Sequence, residues 1–192
     1  MAKNPFFYLL LCGLLTGCYS LKKSIKESKP YSSQINWAEG YTPADAQFFI
    51  HNAIEIEASP QTVWDILIQA EDWPNWYEGM SGVKVPAASD GILFDSAAVQ
   101  FRTMGLDFDA TIVEFEPPTR LGWLSVQKRI SGYHAWLIIP TEKGCKVITD
   151  ESQKGSLTFL QKVFVPNKLK KLHDIWLAEL KKKAEQPSSG TF

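Results

Sequence analysis

From Val99 to Thr149 the chain reads as β segments cut at short intervals by turn signals, and this limits its fold more than any other feature. The signals are Gly105, Pro117-Pro118, Ser131-Gly132 and Lys143-Gly144, with Asp90-Gly91 ahead of them. Between them lie groups of β-formers: Val99, Phe101 and Thr103; Phe108, Ile112 and Phe115; Leu121 and Trp123; Tyr133, Trp136 and Ile138; Val147, Ile148 and Thr149. Connections this short cannot hold a crossover helix, so the strands pair antiparallel with their neighbours.

Helical patterns flank this meander. Phe48, Ile50, Ile54 and Ile56 share one parity while His51, Glu55 and Glu57 share the other, which predicts a half-buried strand with one wet face. Ser59-Pro60 is a cap followed by proline, and Val63, Ile66, Leu67 and Ala70 then fall at helical spacing. Asp72-Trp73-Pro74-Asn75-Trp76 predicts a second short helix or turn. After the meander, Leu157, Leu160 and Phe164 form one stripe, Pro166 interrupts or kinks it, and Leu169, Leu172, Trp176 and Leu180 continue it. A twisted sheet with helices on one side must set the long helix against its concave face. Two small helices cannot cover the rest, so the gap between sheet and long helix can become a cavity. The predicted class is α+β: a curved antiparallel sheet of six to seven strands around a long C-terminal helix, with two short helices after the first strand.

The residues Ile54 to Leu67, followed by Trp73-Pro74-Asn75-Trp76, resemble the opening of the SRPBCC superfamily. This is the START and Bet v 1-like helix-grip group, which includes polyketide cyclase/dehydrase-like proteins. Ala110 to Pro118 continuing through Leu121 and Trp123, His134-Ala135-Trp136-Leu137 ending in Pro140, and Gly144 to Glu151 with Gly155 extend the resemblance over about residues 48–184. It implies a fold that holds lipids, sterols, hormones or polyketides in a cavity. Only some members catalyse, and fold alone does not choose among these roles.

The N-terminus predicts an address. Lys3 precedes an apolar run from Phe6 to Leu15 broken only by Gly13. That run is too short for a membrane span of about 20 residues and fits a signal peptide. Leu15-Thr16-Gly17-Cys18 resembles the lipobox of bacterial lipoproteins. The resemblance implies removal of residues 1–17 and acylation of Cys18, with the membrane as a partner. Tyr19 stands where an aspartate would mark inner-membrane retention, so the implied location in a cell with two membranes is the outer membrane, facing the periplasm. Residues 18–46 are expected to be a lipid-anchored tether, 47–184 the folded domain and 185–192 a disordered tail. Of the other cysteines, Cys12 lies in the removed part, and Cys145 is alone in the body and reads as a small filler. A net charge of −1 excludes nucleic-acid binding by bulk positive charge. No phosphate loop, zinc-ligand spacing or nucleophile elbow occurs, so neither cofactor nor metal is expected.

Seven tryptophans are the strongest functional clue, because an apolar ligand is held by such side chains. The cavity candidates are Trp76, Phe101, Phe108, Trp123, His134 and Trp136. His134 shares parity with Trp136 and Ile138; it is either a general base, a polar anchor for a ligand, or a satisfied structural histidine. Glu151 ends the following strand and can face His134 across the pair, which would make an acid–base couple. Asp107 and Asp109 share a strand face, as would suit a metal, but their alternation with Phe108 points them at water. Arg102 reads as a solvated strand cation or a ligand head-group partner. Lys168, Lys170, Lys171 and Lys181 to Lys183 form a basic helix face. The leading expectation is a membrane-anchored binding or carrier protein for a small, lipid-like hydrophobic ligand, without chemical turnover. A cyclase- or dehydratase-type enzyme using His134 and Glu151, and an envelope protein-interaction module with an unidentified protein partner, are the alternatives.

Overall fold

A computed structural model describes residues 19–186 apart from Ser89. The expected signal peptide, its Cys18 lipidation site and residues 187–192 of the expected tail lie outside the described residues. Seven strands form one antiparallel sheet: β1 (Phe48–Ile56), β2 (Met80–Lys84), β3 (Ala98–Thr103), β4 (Leu106–Glu116), β5 (Arg120–Val126), β6 (Ser131–Thr141) and β7 (Gly144–Lys154). Their spatial order is β1-β7-β6-β5-β4-β3-β2. Consecutive hairpins set every neighbour except the first: β1 pairs with β7, so the chain crosses the sheet between β1 and β2.

Helices α2 (Pro60–Leu67) and α3 (Trp73–Trp76) make that crossing. Ser59 caps α2 by accepting from the Thr62 N–H at 3.1 Å, and Pro60 sits at the first helical position, where its missing N–H costs nothing. Val63, Trp64 and Leu67 of α2 are buried under the sheet. At the other end, α4 (Ser156–Phe164) and α5 (Lys168–Ala184) are separate helices divided around Pro166. Leu169, His173, Trp176, Leu177 and Leu180 form the buried face of α5. Asn52 of β1 ties that helix to the sheet, donating to the Lys170 carbonyl at 3.1 Å.

Three findings differ from the expectations. Strand β2 was not predicted; it is five residues long, contains Gly82 at φ +60° and shifts register against β3, so it carries little periodic signal. The wet face expected for β1 is covered along its first half, where Phe49 and His51 are buried. The cover is the segment expected to be a tether. Residues 19–28 are helical (α1), and Ile35 with Tyr31, Trp37 and Tyr41 packs on Tyr133, Ala135, Leu137 and Ile148 of the convex face. The Trp37 ring lies 5.4 Å from Tyr133 and 5.9 Å from Phe49. The physical reason lies in the sheet, whose outer surface presents apolar side chains that need a second layer. Thr42 to Asp45 form a single turn, closed by the Asp45 N–H to the Thr42 carbonyl at 3.0 Å.

Candidate functional site

Strand register lines up one row of side chains on the concave face. Trp123 of β5 faces His134 of β6, His134 faces Glu151 of β7, and Glu151 faces Ile50 of β1. Because side chains alternate along strands, these four point to the same side. α5 passes over the row and adds His173 and Trp176 from its buried stripe, one turn apart.

Between sheet and helices lies a cavity of about 200 Å³. Phe101, Phe108, Trp123 and His134 line it, as does Glu151. Trp76 and Trp136 do not. Trp136 is two residues beyond His134 on the same strand face, where the interior is filled; its indole meets Trp176 edge-on at 5.0 Å. Trp76 ends the four-residue α3 and faces an outer groove, with the Lys183 ammonium 5.9 Å from its ring. Sequence reasoning missed Tyr77, Gln153, Gln161, His173 and Trp176 as lining residues. His173 was legible: four residues after Leu169 and three before Trp176, it falls on the apolar stripe of α5.

The polar groups gather at one end. His134 Nε2 lies 2.6 Å from Thr149 Oγ1, and its Nδ1 lies 3.4 Å from Glu151 Oε2. His173 Nε2 lies 3.1 Å from the same carboxylate oxygen. Aromatic rings wall this cluster, with Trp123 at 4.5 Å from the His134 ring and Trp176 at 5.6 Å. Burial pushes the His134 imidazole down to about 4, against the pull of its bond to Glu151, so the ring is neutral at neutral pH. Burial alone would raise the Glu151 carboxyl, but the bonds from His134 and His173 outweigh it and hold it well below the usual carboxylate range. Burial and the Glu151 charge both push the Tyr77 phenol up. The His173 Nδ1, Gln153 Oε1, Gln161 Nε2 and Trp176 Nε1 atoms are buried without a hydrogen-bond partner among the described residues, and all four residues line the cavity. The arrangement is therefore an apolar chamber with a polar end, able to take a ligand that is mostly apolar and carries a polar group.

The remaining candidates lie elsewhere. Arg102 bonds Asp107 at 2.8 Å on the exposed face, and Gln100 donates to Asp109 at 2.9 Å. Cys145 is fully buried, and burial pushes its thiol up to about 11, so it is an inert filler.

Residues 48–185 match the family model described as polyketide cyclase / dehydrase and lipid transport. No curated protein matches the chain. Hypothetical protein jhp0584 from Helicobacter pylori is 26% identical with a TM-score of 0.73, over 78% of this chain and 95% of that one. A START superfamily protein from Mycobacterium smegmatis is 15% identical with a TM-score of 0.57, over 72% of this chain and 97% of that one. The di-domain ARO/CYC StfQ from the steffimycin biosynthetic pathway is 12% identical with a TM-score of 0.60, over 71% of this chain and 50% of that one. The helix-grip sheet, the chamber under its C-terminal helix and a match over most of its length together make this chain a member of the polyketide cyclase / dehydrase and lipid transport family, within the SRPBCC superfamily.

Proposed function

We propose that the chain is a lipid-anchored binding or carrier protein of the cell envelope that holds a small amphipathic ligand in the chamber. The observation that carries this reading is the chamber itself: an interior lined by Phe101, Phe108, Trp123, Leu169 and Leu172 that the protein's own side chains leave unfilled. Moving an apolar ligand into it gains roughly 25 cal/mol per Å² of apolar surface removed from water. At about 200 Å³ it is smaller than the ~300–1,000 Å³ typical for drug-sized ligands. The ligand is accordingly small, or leaves its tail along α4, where Phe159, Leu160, Phe164 and Val165 are exposed.

The same region supports the membrane reading. Leu21 of α1 shares a surface hollow with Phe159 and Lys162 of α4, so the chain just after Cys18 runs beside the apolar helix that roofs the chamber. An acylated Cys18 would hold this face at a bilayer, outer membrane facing the periplasm in a diderm cell. Among the described residues no helix is long and apolar enough to cross a membrane.

The test is mass spectrometry of organic extracts from the purified full chain and from Gly132→Leu. Gly132 lines the chamber, and a Cβ there meets nothing closer than the Ser152 carbonyl at 3.4 Å, so the new side chain fills the space without breaking the strand. A lipid-like molecule present in the parent and depleted in the variant is expected. Identical extracts, together with no uptake of a fluorescent fatty-acid panel by either protein, would overturn the reading.

A cyclase- or dehydratase-type reaction is the second reading. It is favoured by one observation, the 3.4 Å approach of His134 to Glu151 inside the chamber. His134→Ala should then abolish turnover of an added polyketide-like substrate while sparing its binding.

A further inference from the structure

Three donor atoms from three different elements converge at the polar end of the chamber: His134 Nδ1 from β6, Glu151 Oε2 from β7 and His173 Nε2 from α5. All lie within 4.8 Å of one another. The separations of 3.4 Å and 3.1 Å to the shared carboxylate oxygen bracket the value set by tetrahedral coordination. Two ligands, each ~2.0–2.1 Å from one tetrahedral ion, stand about 3.3 Å apart.

The surroundings orient the donors. Thr149 Oγ1 engages the other ring nitrogen of His134, which leaves Nδ1 for the cluster. Gln153 Nε2 donates to the other carboxylate oxygen of Glu151, which leaves Oε2. Such outer partners fix the tautomer and direction of metal ligands. Glu151 brings a negative charge to a chamber in which no Lys or Arg is among the described lining residues. Two imidazoles and a carboxylate suit zinc, iron, copper or nickel rather than calcium or magnesium, which take oxygen donors.

We propose that His134, Glu151 and His173 form a binding site for a divalent transition-metal ion, with zinc as the ion of matching donor set, and with its open coordination position turned into the chamber. The proposal does not depend on the ligand reading above, because the metal ligands are the protein's own side chains. The competing arrangement is a plain hydrogen-bonded triad, in which Glu151 accepts from both imidazoles.

The experiment uses the full chain purified in detergent, stripped with a chelator and titrated with cobalt(II) chloride alone. The expected result is one equivalent of cobalt with visible d–d absorption, displaced by zinc chloride. His134→Ala and His173→Ala should each weaken binding by ~100-fold or more, and Thr149→Val, which alters only an outer partner, by about 10- to 100-fold. His51→Ala, on the opposite face of the sheet, should bind as the parent does and controls for adventitious binding at the third histidine. Circular dichroism verifies folding, and if His173→Ala unfolds, His173→Gln takes its place. Absence of stoichiometric cobalt or zinc binding by the folded parent would overturn the proposal, as would binding that persists unchanged in both His134 and His173 variants.

Discussion

Strand β7 carries two adjacent acids, Asp150 and Glu151, that belong to polar groups on opposite faces of the sheet, and the groups differ in what covers them. On the concave face His134 pairs with Glu151 across the strands; on the convex face, one residue earlier on β7, Asp150 pairs with His51 of β1. The convex group is sealed. His51 Nδ1 lies 2.6 Å from Asp150 Oδ1, and Tyr31 stacks on the His51 ring at 5.8 Å. Three strands along the same register row, buried Glu114 of β4 accepts from Arg120 Nε at 2.8 Å and from the Tyr133 hydroxyl at 3.1 Å. Gly122 is required there, since a Cβ would come within 2.5 Å of the Tyr133 oxygen. The concave group opens on a chamber that His134, Glu151 and His173 line. A closed polar layer holds parts together; an open one can hold a guest. The same residue types thus serve structure on one face and binding on the other, decided by whether the chain supplies its own lid.

This contrast can be broken most directly at Asp150. Asp150→Ala strands His51 under the N-terminal segment and should cost about 3–5 kcal/mol in urea unfolding, with ligand uptake by the remaining folded protein unchanged. Equal losses of stability and uptake would erase the distinction between the faces. Trp37→Ala removes the ring that seats on Phe49 and Tyr133 and should cost about 2–3 kcal/mol, with new proteolytic cleavage inside residues 31–46. Cleavage there without loss of stability would reduce the segment to the tether expected from sequence. On the concave side Glu151→Gln should act on both quantities: affinity for a polar-headed ligand falls about tenfold, read by fluorescent-probe displacement, beside a stability loss of about 1–2 kcal/mol from the carboxylate that His134 and His173 hold ionised.

The smallest effect sets a baseline outside both faces. Lys183 Nζ lies 2.5 Å from Asp72 Oδ2 and joins the end of α5 to α3. Burial, the largest single influence, raises the Asp72 carboxyl, but the bonds from Lys183 and Asn75 with the Lys183 charge together outweigh it and lower its pKa. A lowered carboxylate contributes stability above its unfolded pKa and loses it as pH falls through the folded value. Asp72→Asn should therefore cost under about 1 kcal/mol at pH 7, and parent and variant should converge in thermal unfolding as pH falls through the lowered folded value.

Which parts were legible follows from how local their signals are. The capped α2, the hairpins from β3 to β7 and the stripe of α5 each announce themselves within a dozen residues, because caps, turns and periodicity act over that distance. Strand β2 does not, since Gly82 and its register shift interrupt the alternation. In the candidate site, Phe101, Phe108, Trp123 and His134 were found because parity on a strand survives into the fold. Trp76 and Trp136 were misplaced because parity gives the face, not the point along it where packing stops and the chamber begins.

The sequence by itself determined the antiparallel meander, the helices that flank it and the parity shared by His134 and Trp136, because each rests on near-neighbour spacing. Only the tertiary structure decided that β1 closes beside β7, that residues 31–41 cover the convex face, and that His173 comes from α5 to meet Glu151. Those pairings join residues far apart in the chain. Their partners are selected by burying matched surfaces, a choice that no local window of residues contains.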